Sequence, residues 1–227
     1  MRNLFKIPLS RSLSVSNENN SYICELKVRN IITFGSRMKN DSFVITLFQD
    51  WRTVFELNEV AMLLHETNFA NLKQKLHYYV HIGVLGNPRR GIYVKKNYNP
   101  EEIACKLFKP SYLSLEYVLQ QSGIIFQYTN HLTMVSYLSR RLEISGHHLL
   151  FRKIKNEILL NTEGIIRDRV GVNIASPERA FLDTLYLNKE FYADNVSSLN
   201  KEFISKLLPL YNSTALRRRV EKHFDND

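Results

Sequence analysis

TNFANLKQKLHYYVHIGVLGNPRRGIYVKKNY, residues Thr67 to Tyr98, carries six lysines and arginines and no carboxylate. The Asn68 side chain is suited to cap a helix, and Phe69, Leu72, Leu76 and Val80 follow at helical spacing. A helix from Asn68 to about Ile82 with one apolar stripe is therefore predicted. Gly83 stops it, because only glycine enters the left-handed conformation there without strain. Val84-Leu85, the tight run Gly86-Asn87-Pro88-Arg89-Arg90-Gly91 and the alternating Ile92-Tyr93-Val94 then read as a β-hairpin with two arginines at its turn.

Working back from that stretch, Asp41 or Ser42 caps a helix through Phe48, with Phe43, Leu47 and Val44 turned inward. Phe55 to Leu64 reads as a second helix, with Leu57, Ala61 and Leu64 on one face. Three helices and a basic hairpin in this order predict a winged helix-turn-helix over residues 38–98. The outer face of its last helix presents Asn71, Gln74, Lys75, Tyr78 and His81, with Asn68 at its start. Asn and Gln can read adenine in the major groove, and Lys can reach guanine or phosphate. Arg89, Arg90 and Lys95, with Lys96 behind, suit phosphate contacts. Residue by residue, a solvated amphipathic helix with a basic loop explains the pattern about as well; the ensemble favours duplex DNA.

The charge distribution points to the same window. The net charge is +9 overall; residues 1–37 carry six basic and two acidic groups, 38–66 two and five, and 99–227 seventeen and fifteen. A scattered excess only aids solubility, whereas this one is concentrated. Residues 1–37 include the polar run Ser14 to Ser21 and read as an N-terminal extension, partly disordered, with a short strand near Tyr22 to Val28. Met38 precedes the first periodic segment and offers an alternative start. Met1 to Pro8 lacks the apolar core of a signal peptide, and no apolar run reaches the roughly 20 residues that span a bilayer. No membrane association is expected, and a cytoplasmic location is.

Residues 99–227 form the second expected domain, giving an α+β protein. Pro100 opens a helix with Glu101 and Glu102 in its first turn, and another is predicted from Leu113 to Gln121. Leu132 to Leu138, Arg141 to Ile144, Leu149 to Ile154, Ile165-Ile166 and Val170 to Ile174 read as strands of a mainly antiparallel sheet, with a turn at Ser145-Gly146. Ser176 as N-cap and Pro177 at the first helical position start a helix through Tyr186, and two more follow near Lys201 to Leu208 and Ser213 to Phe224.

Catalytic chemistry is not indicated. There is no glycine-rich phosphate loop, and no nucleophile and base at a telling spacing. Glu157, Asp168 and Asp183 could converge as a nuclease-like metal site only through the fold. Cys24 and Cys105 are far apart and lack neighbouring ligands, and the His147-His148 pair lacks a third, so neither disulfide, metal nor cofactor is expected. Arg217-Arg218-Arg219 points around a helix and reads as solvated surface.

Gly83-Val84-Leu85 with Arg89-Arg90-Gly91-Ile92-Tyr93-Val94 resembles the wing of AbiEi family antitoxins. Pro110-Ser111-Tyr112-Leu113-Ser114-Leu115-Glu116 and Ala175 to Leu187, which contains Ser176, Pro177, Glu178, Arg179 and Asp183, are similar to that family's most recognisable stretches. The resemblance covers about Asp41 to Phe224 and departs from the family in the 37-residue extension. It implies a type IV antitoxin of a toxin-antitoxin or abortive-infection system, used in phage defence. Such a protein binds repeats in its own double-stranded promoter DNA as an autorepressor and counters a nucleotidyltransferase-like toxin, with or without touching it. The alternatives are a protein-interaction module that holds an acidic toxin directly, or a metal-dependent nuclease. Most motif residues also have structural readings: Ser176, Pro177 and Glu178 as a helix start, Ser111 and Ser114 as caps after Pro110, and Asp183 paired with Arg179 one turn earlier.

Overall fold

The computed structural model describes residues 41–224. Among the described residues, those from Thr46 onward form one compact unit. The expected extension 1–37, its strand near Tyr22 and the alternative start at Met38 lie outside the described residues. No described helix is long and apolar enough to cross a membrane.

Helix α1 (Asp41–Gln49) is followed by β1 (Val54–Glu56), α2 (Leu57–Leu63), α3 (Phe69–His81) and the hairpin β2 (Gly86–Arg89) and β3 (Ile92–Val94). The three strands form an antiparallel sheet in the order β1-β3-β2. The stretch predicted as one helix from Phe55 is thus a strand that becomes a helix. Glu59 Oε2 accepts the Glu56 N–H at 2.7 Å and fixes Glu56 in an extended conformation, so the helix cannot grow back past it. Val54 and Phe55, fully buried, pair with Val94 and Tyr93 instead.

Asn68 caps α3 as predicted, its Oδ1 accepting the Ala70 and Asn71 N–H groups. The buried line of α3 is Leu72, Leu76 and Tyr79; Phe69, in the first turn, is exposed and Val80 half-buried. Gly83, at φ +74°, ends the helix. The Asn87 amide ties the hairpin by donating to the Arg89 and Ile92 carbonyls.

The predicted division at residues 98/99 falls at the Asn99 cap of α4 (Pro100–Leu107), and packing continues across it. Buried Glu102 accepts the Thr53 and Val54 N–H groups and the Thr53 hydroxyl, and Val54, Ile92 and Val94 share one apolar core with buried residues from Ile103 to Val220. A six-stranded sheet follows in the order β6-β7-β5-β4-β9-β8. Its strands are β4 (Ser111–Leu113), β5 (His131–Ser136), β6 (Arg140–Ile144), β7 (His147–Lys153), β8 (Ile165–Arg167) and β9 (Asn173–Ala175).

This sheet is mixed. β5 pairs with β7, and β4 with β9, in parallel. The Ser145-Gly146 turn, both residues at positive φ, reverses the chain from β6 into β7 as predicted. A second reversal after β5 restores its direction, and β7 inserts between β5 and β6, a choice of neighbour that strand periodicity does not encode.

Two further differences concern helices. The predicted helix from Leu113 is β4 followed by α5 (Glu116–Gln121), and α6 (Asn156–Leu160) was not anticipated. The C-terminal part holds α7 (Pro177–Leu187), α8 (Lys201–Leu207), a 3-10 turn (Leu208–Tyr211) and α9 (Thr214–Phe224), with α7 packed on α5, α8 and α9.

Candidate nucleic-acid interface

Helix α3 buries one side and exposes the other. Asn71, Gln74, Tyr78 and His81, at offsets 0, 3, 7 and 10, are all exposed, opposite buried Leu72, Leu76 and Tyr79. Lys73 and His77 are exposed beside them. The predicted reading face is therefore accessible. Lys75 is half-buried, with its Nζ 3.5 Å from Glu66 Oε2. Glu66 lies one residue outside the acid-free window and is near in space. The Asn68 carbonyl oxygen is occupied by capping, which makes this residue a builder of the helix end.

The basic positions of the hairpin have different surroundings. Arg90 is exposed and makes no ion pair among the described residues. Arg89 is exposed too, with its guanidinium carbon 5.4 Å from the centre of the Phe108 ring. No hydrogen bond or ion pair among the described residues joins either arginine to α3. The Gly91 carbonyl instead accepts the Leu57 N–H, which pins the hairpin turn to the start of α2.

Lys95 departs from its expected role. Its Nζ donates to the Asp50 carbonyl at 2.6 Å and lies over the Phe48 and Phe55 rings. Burial holds its pKa below the usual lysine range, against the pull of Asp50 and Glu102. It ties down the chain just after α1 and is not directed to a phosphate. Lys96 beside it is exposed.

The motif residues of the second part converge, but in the interior. Arg179 and Asp183 are both fully buried, their Nε and Oδ1 3.5 Å apart. Asp183 accepts hydrogen bonds from Tyr112 at 3.0 Å, Ser114 at 2.8 Å and Tyr211 at 2.7 Å. Arg179 donates to the carbonyls of Ile158 and Glu163. Burial pushes the Asp183 carboxyl above the usual carboxylate range, with Arg179 and the three hydroxyls pulling the other way. Ser176 caps α7 through the Arg179 N–H and Pro177 occupies its first turn, as predicted, while Glu178 Oε1 accepts the Asn200 N–H.

Ser111 and Ser114 do not cap a helix: Ser111 lies in β4, and Ser114, directly after it, donates its hydroxyl to Asp183. Alternation along β4 sends Tyr112 and Ser114 to Asp183 and Ser111 to the other face, where its hydroxyl has no partner among the described residues. Tyr211 completes the cluster and was missed, since nothing local distinguishes it from other core tyrosines.

The three carboxylates weighed as a metal site serve other ends. Asp183 is enclosed, Asp168 Oδ1 accepts the Val170 and Val172 N–H groups, and Glu157 is exposed on α6. Among the described residues no group of three His, Cys, Asp or Glu side chains is placed to hold a metal ion. Cys105 is buried and free, its thiol pushed up to about 11 by that burial. Arg219 turns inward to the Leu185 carbonyl, while Arg217 and Arg218 are exposed. No protein-family model matches the chain, and no curated protein matches it in sequence.

Proposed function

We propose that this chain reads duplex DNA with α3, as a winged helix-turn-helix protein, and that it acts as an AbiEi-type antitoxin. In this reading it represses its own promoter, counters a nucleotidyltransferase-like toxin in the cytoplasm, and does so without a cofactor or catalysis. The carrying observation is the row Asn71, Gln74, Tyr78 and His81, exposed along one side of a helix anchored by Leu72, Leu76 and Tyr79. Amide side chains on a rigid helix can pair with adenine edges, and the order helix, strand, helix, helix, hairpin suits a major-groove reader. The antitoxin part rests on the resemblance of Pro110–Glu116 and Ala175–Leu187 alone.

The test is fluorescence anisotropy with a labelled duplex from the region upstream of the gene. Asn71→Ala and Gln74→Ala each weaken operator binding by about 1–3 kcal/mol and leave random-sequence binding unchanged. Equal affinity of the parent protein for the two duplexes refutes sequence reading. Growth rescue on co-expression with the neighbouring toxin gene tests the antitoxin part separately.

A second reading, in which the chain holds the toxin directly, draws on apolar exposure: Met62, Phe69, Tyr78 and Ile82 on or beside α2 and α3 are all more than a third exposed. Co-elution with the toxin in the absence of DNA, lost in Tyr78→Ala, distinguishes it.

A further inference from the structure

We propose that a second site, a cleft of about 450 Å³ walled by Arg52, Lys106, Lys109, Ser111, Arg167 and Arg169, binds a small ligand through its phosphate groups. Nothing in the α3 reading requires this site.

Five of these six residues are cationic, and the only carboxylates on the same walls are Glu59 and Asp168. Both are already committed. Glu59 meets Lys106 Nζ at 2.5 Å and accepts the Glu56 N–H. Asp168 closes its own turn through the Val170 and Val172 N–H groups. Arg52 is held by Asp50 at 2.6 Å, and Lys109 pairs with Glu56. Arg167 and Arg169, which flank Asp168, are exposed and make no ion pair among the described residues. Two guanidiniums without a carboxylate partner on the wall of one cleft repel one another until an anion arrives, and a phosphate accepts guanidinium N–H groups two at a time.

The wall also contains a polar group with nothing to bond. Ser111 is 5% exposed and its Oγ lacks a partner among the described residues. Buried hydroxyls are normally paired, so an orphan at the wall of a cationic cleft marks where a ligand oxygen belongs. The volume falls in the range of small-molecule sites, about 300–1,000 Å³. A duplex backbone meets a protein on open surface and does not reach a side chain enclosed to this degree, so a compact phosphate compound fits better than DNA.

Isothermal titration of the full chain with pyrophosphate, at constant ionic strength, tests this. The expected result is saturable binding, weakened at least tenfold by Arg167→Ala combined with Arg169→Ala, both on exposed side chains. Ser111→Ala should weaken it about three- to tenfold, the worth of one hydrogen bond. It should not lower the urea midpoint of the ligand-free protein, since no hydrogen bond is lost and an unpaired buried hydroxyl is removed. The absence of saturable binding at millimolar pyrophosphate overturns the proposal, as does binding by the double variant equal to that of the parent. Loss of duplex affinity in the double variant with no pyrophosphate effect also overturns it and assigns the cations to DNA. Asn71→Ala leaves pyrophosphate binding intact, which separates failure of this site from failure of the α3 reading.

Discussion

Asp183→Ala removes the acceptor at the centre of the Arg179 cluster, and its cost follows from what is left behind. Arg179 is fully buried and keeps only the Ile158 and Glu163 carbonyls as strong partners. Breaking a buried ion pair on one side costs about 3–5 kcal/mol, because the remaining charge stays out of water. The Tyr112, Ser114 and Tyr211 hydroxyls lose an acceptor as well. Tyr211 has a fallback acceptor in the Arg179 carbonyl at 3.5 Å, so part of its penalty of about 1–3 kcal/mol is recovered, whereas Tyr112 keeps only the bond it accepts from Arg179 and its O–H is left without an acceptor. The total, near 5 kcal/mol, is comparable with the stability of a whole domain, about 5–15 kcal/mol. Tyr211→Phe is the graded probe. It deletes one 2.7 Å hydrogen bond to a charged group and costs about 1.5–3 kcal/mol. Replacing both charges, Arg179→Met with Asp183→Leu, should destabilise less than either change alone, since it strands no charge. Guanidinium unfolding followed by far-UV circular dichroism measures all of these and the two singles of the double variant; Trp51, 82% exposed, is a poor fluorescent reporter of the core. A double variant as unstable as the sum of its singles, or Asp183→Ala costing under about 1 kcal/mol, refutes this reasoning.

Two other perturbations test the charges around the first sheet. Lys95→Met removes the donor to the Asp50 carbonyl and should lower stability by about 1–3 kcal/mol while leaving the salt dependence of DNA binding unchanged, a slope read from anisotropy titrations. Glu59 is pushed up by burial, but the Glu56 N–H, Lys106 and Arg52 pull harder and hold its pKa below the usual glutamate value. A depressed carboxylate stabilises the fold above its unfolded value of about 4.3, and that contribution disappears as pH falls through the folded value. Glu59→Gln should therefore be less stable at neutral pH yet lose stability less steeply below about pH 4.3 in a series of urea titrations. An unchanged acid profile would mean that Glu59 makes no net contribution.

What the sequence revealed was what local chemistry decides. The Asn68 and Ser176 caps, the Pro100 helix start, the Gly83 stop and the Ser145-Gly146 turn were legible because each depends on a few adjacent residues. The exposed face of α3 was legible from the spacing of Leu72 and Leu76, even though Tyr79 took the inward place expected of Val80. The strand at Val54–Glu56 was not, because a three-residue edge next to a helix has no period of its own and is defined by its partner β3. The mixed sheet was hidden for the same reason. The roles of Ser114 and Tyr112 depend on Asp183, about 70 residues away, and without the strand assignment Ser114 looked like a cap.

The same long-range contacts change how much of the basic window is available to DNA. By sequence it holds six cations and no acid. In the fold, Lys95 serves the chain after α1 and Lys75 leans on Glu66. Lys73, Arg89, Arg90 and Lys96 remain exposed, and among these Arg89 lies over Phe108. With about four phosphate contacts per copy, the log-log salt slope of binding can reach only about −4, since each contact contributes about −0.9. A measured slope near twice that value therefore requires two copies on the operator or cations from outside Thr67 to Tyr98. Arg167→Ala with Arg169→Ala tests one part of that excess: the slope falls by about two if both arginines touch phosphate and is unchanged if neither does.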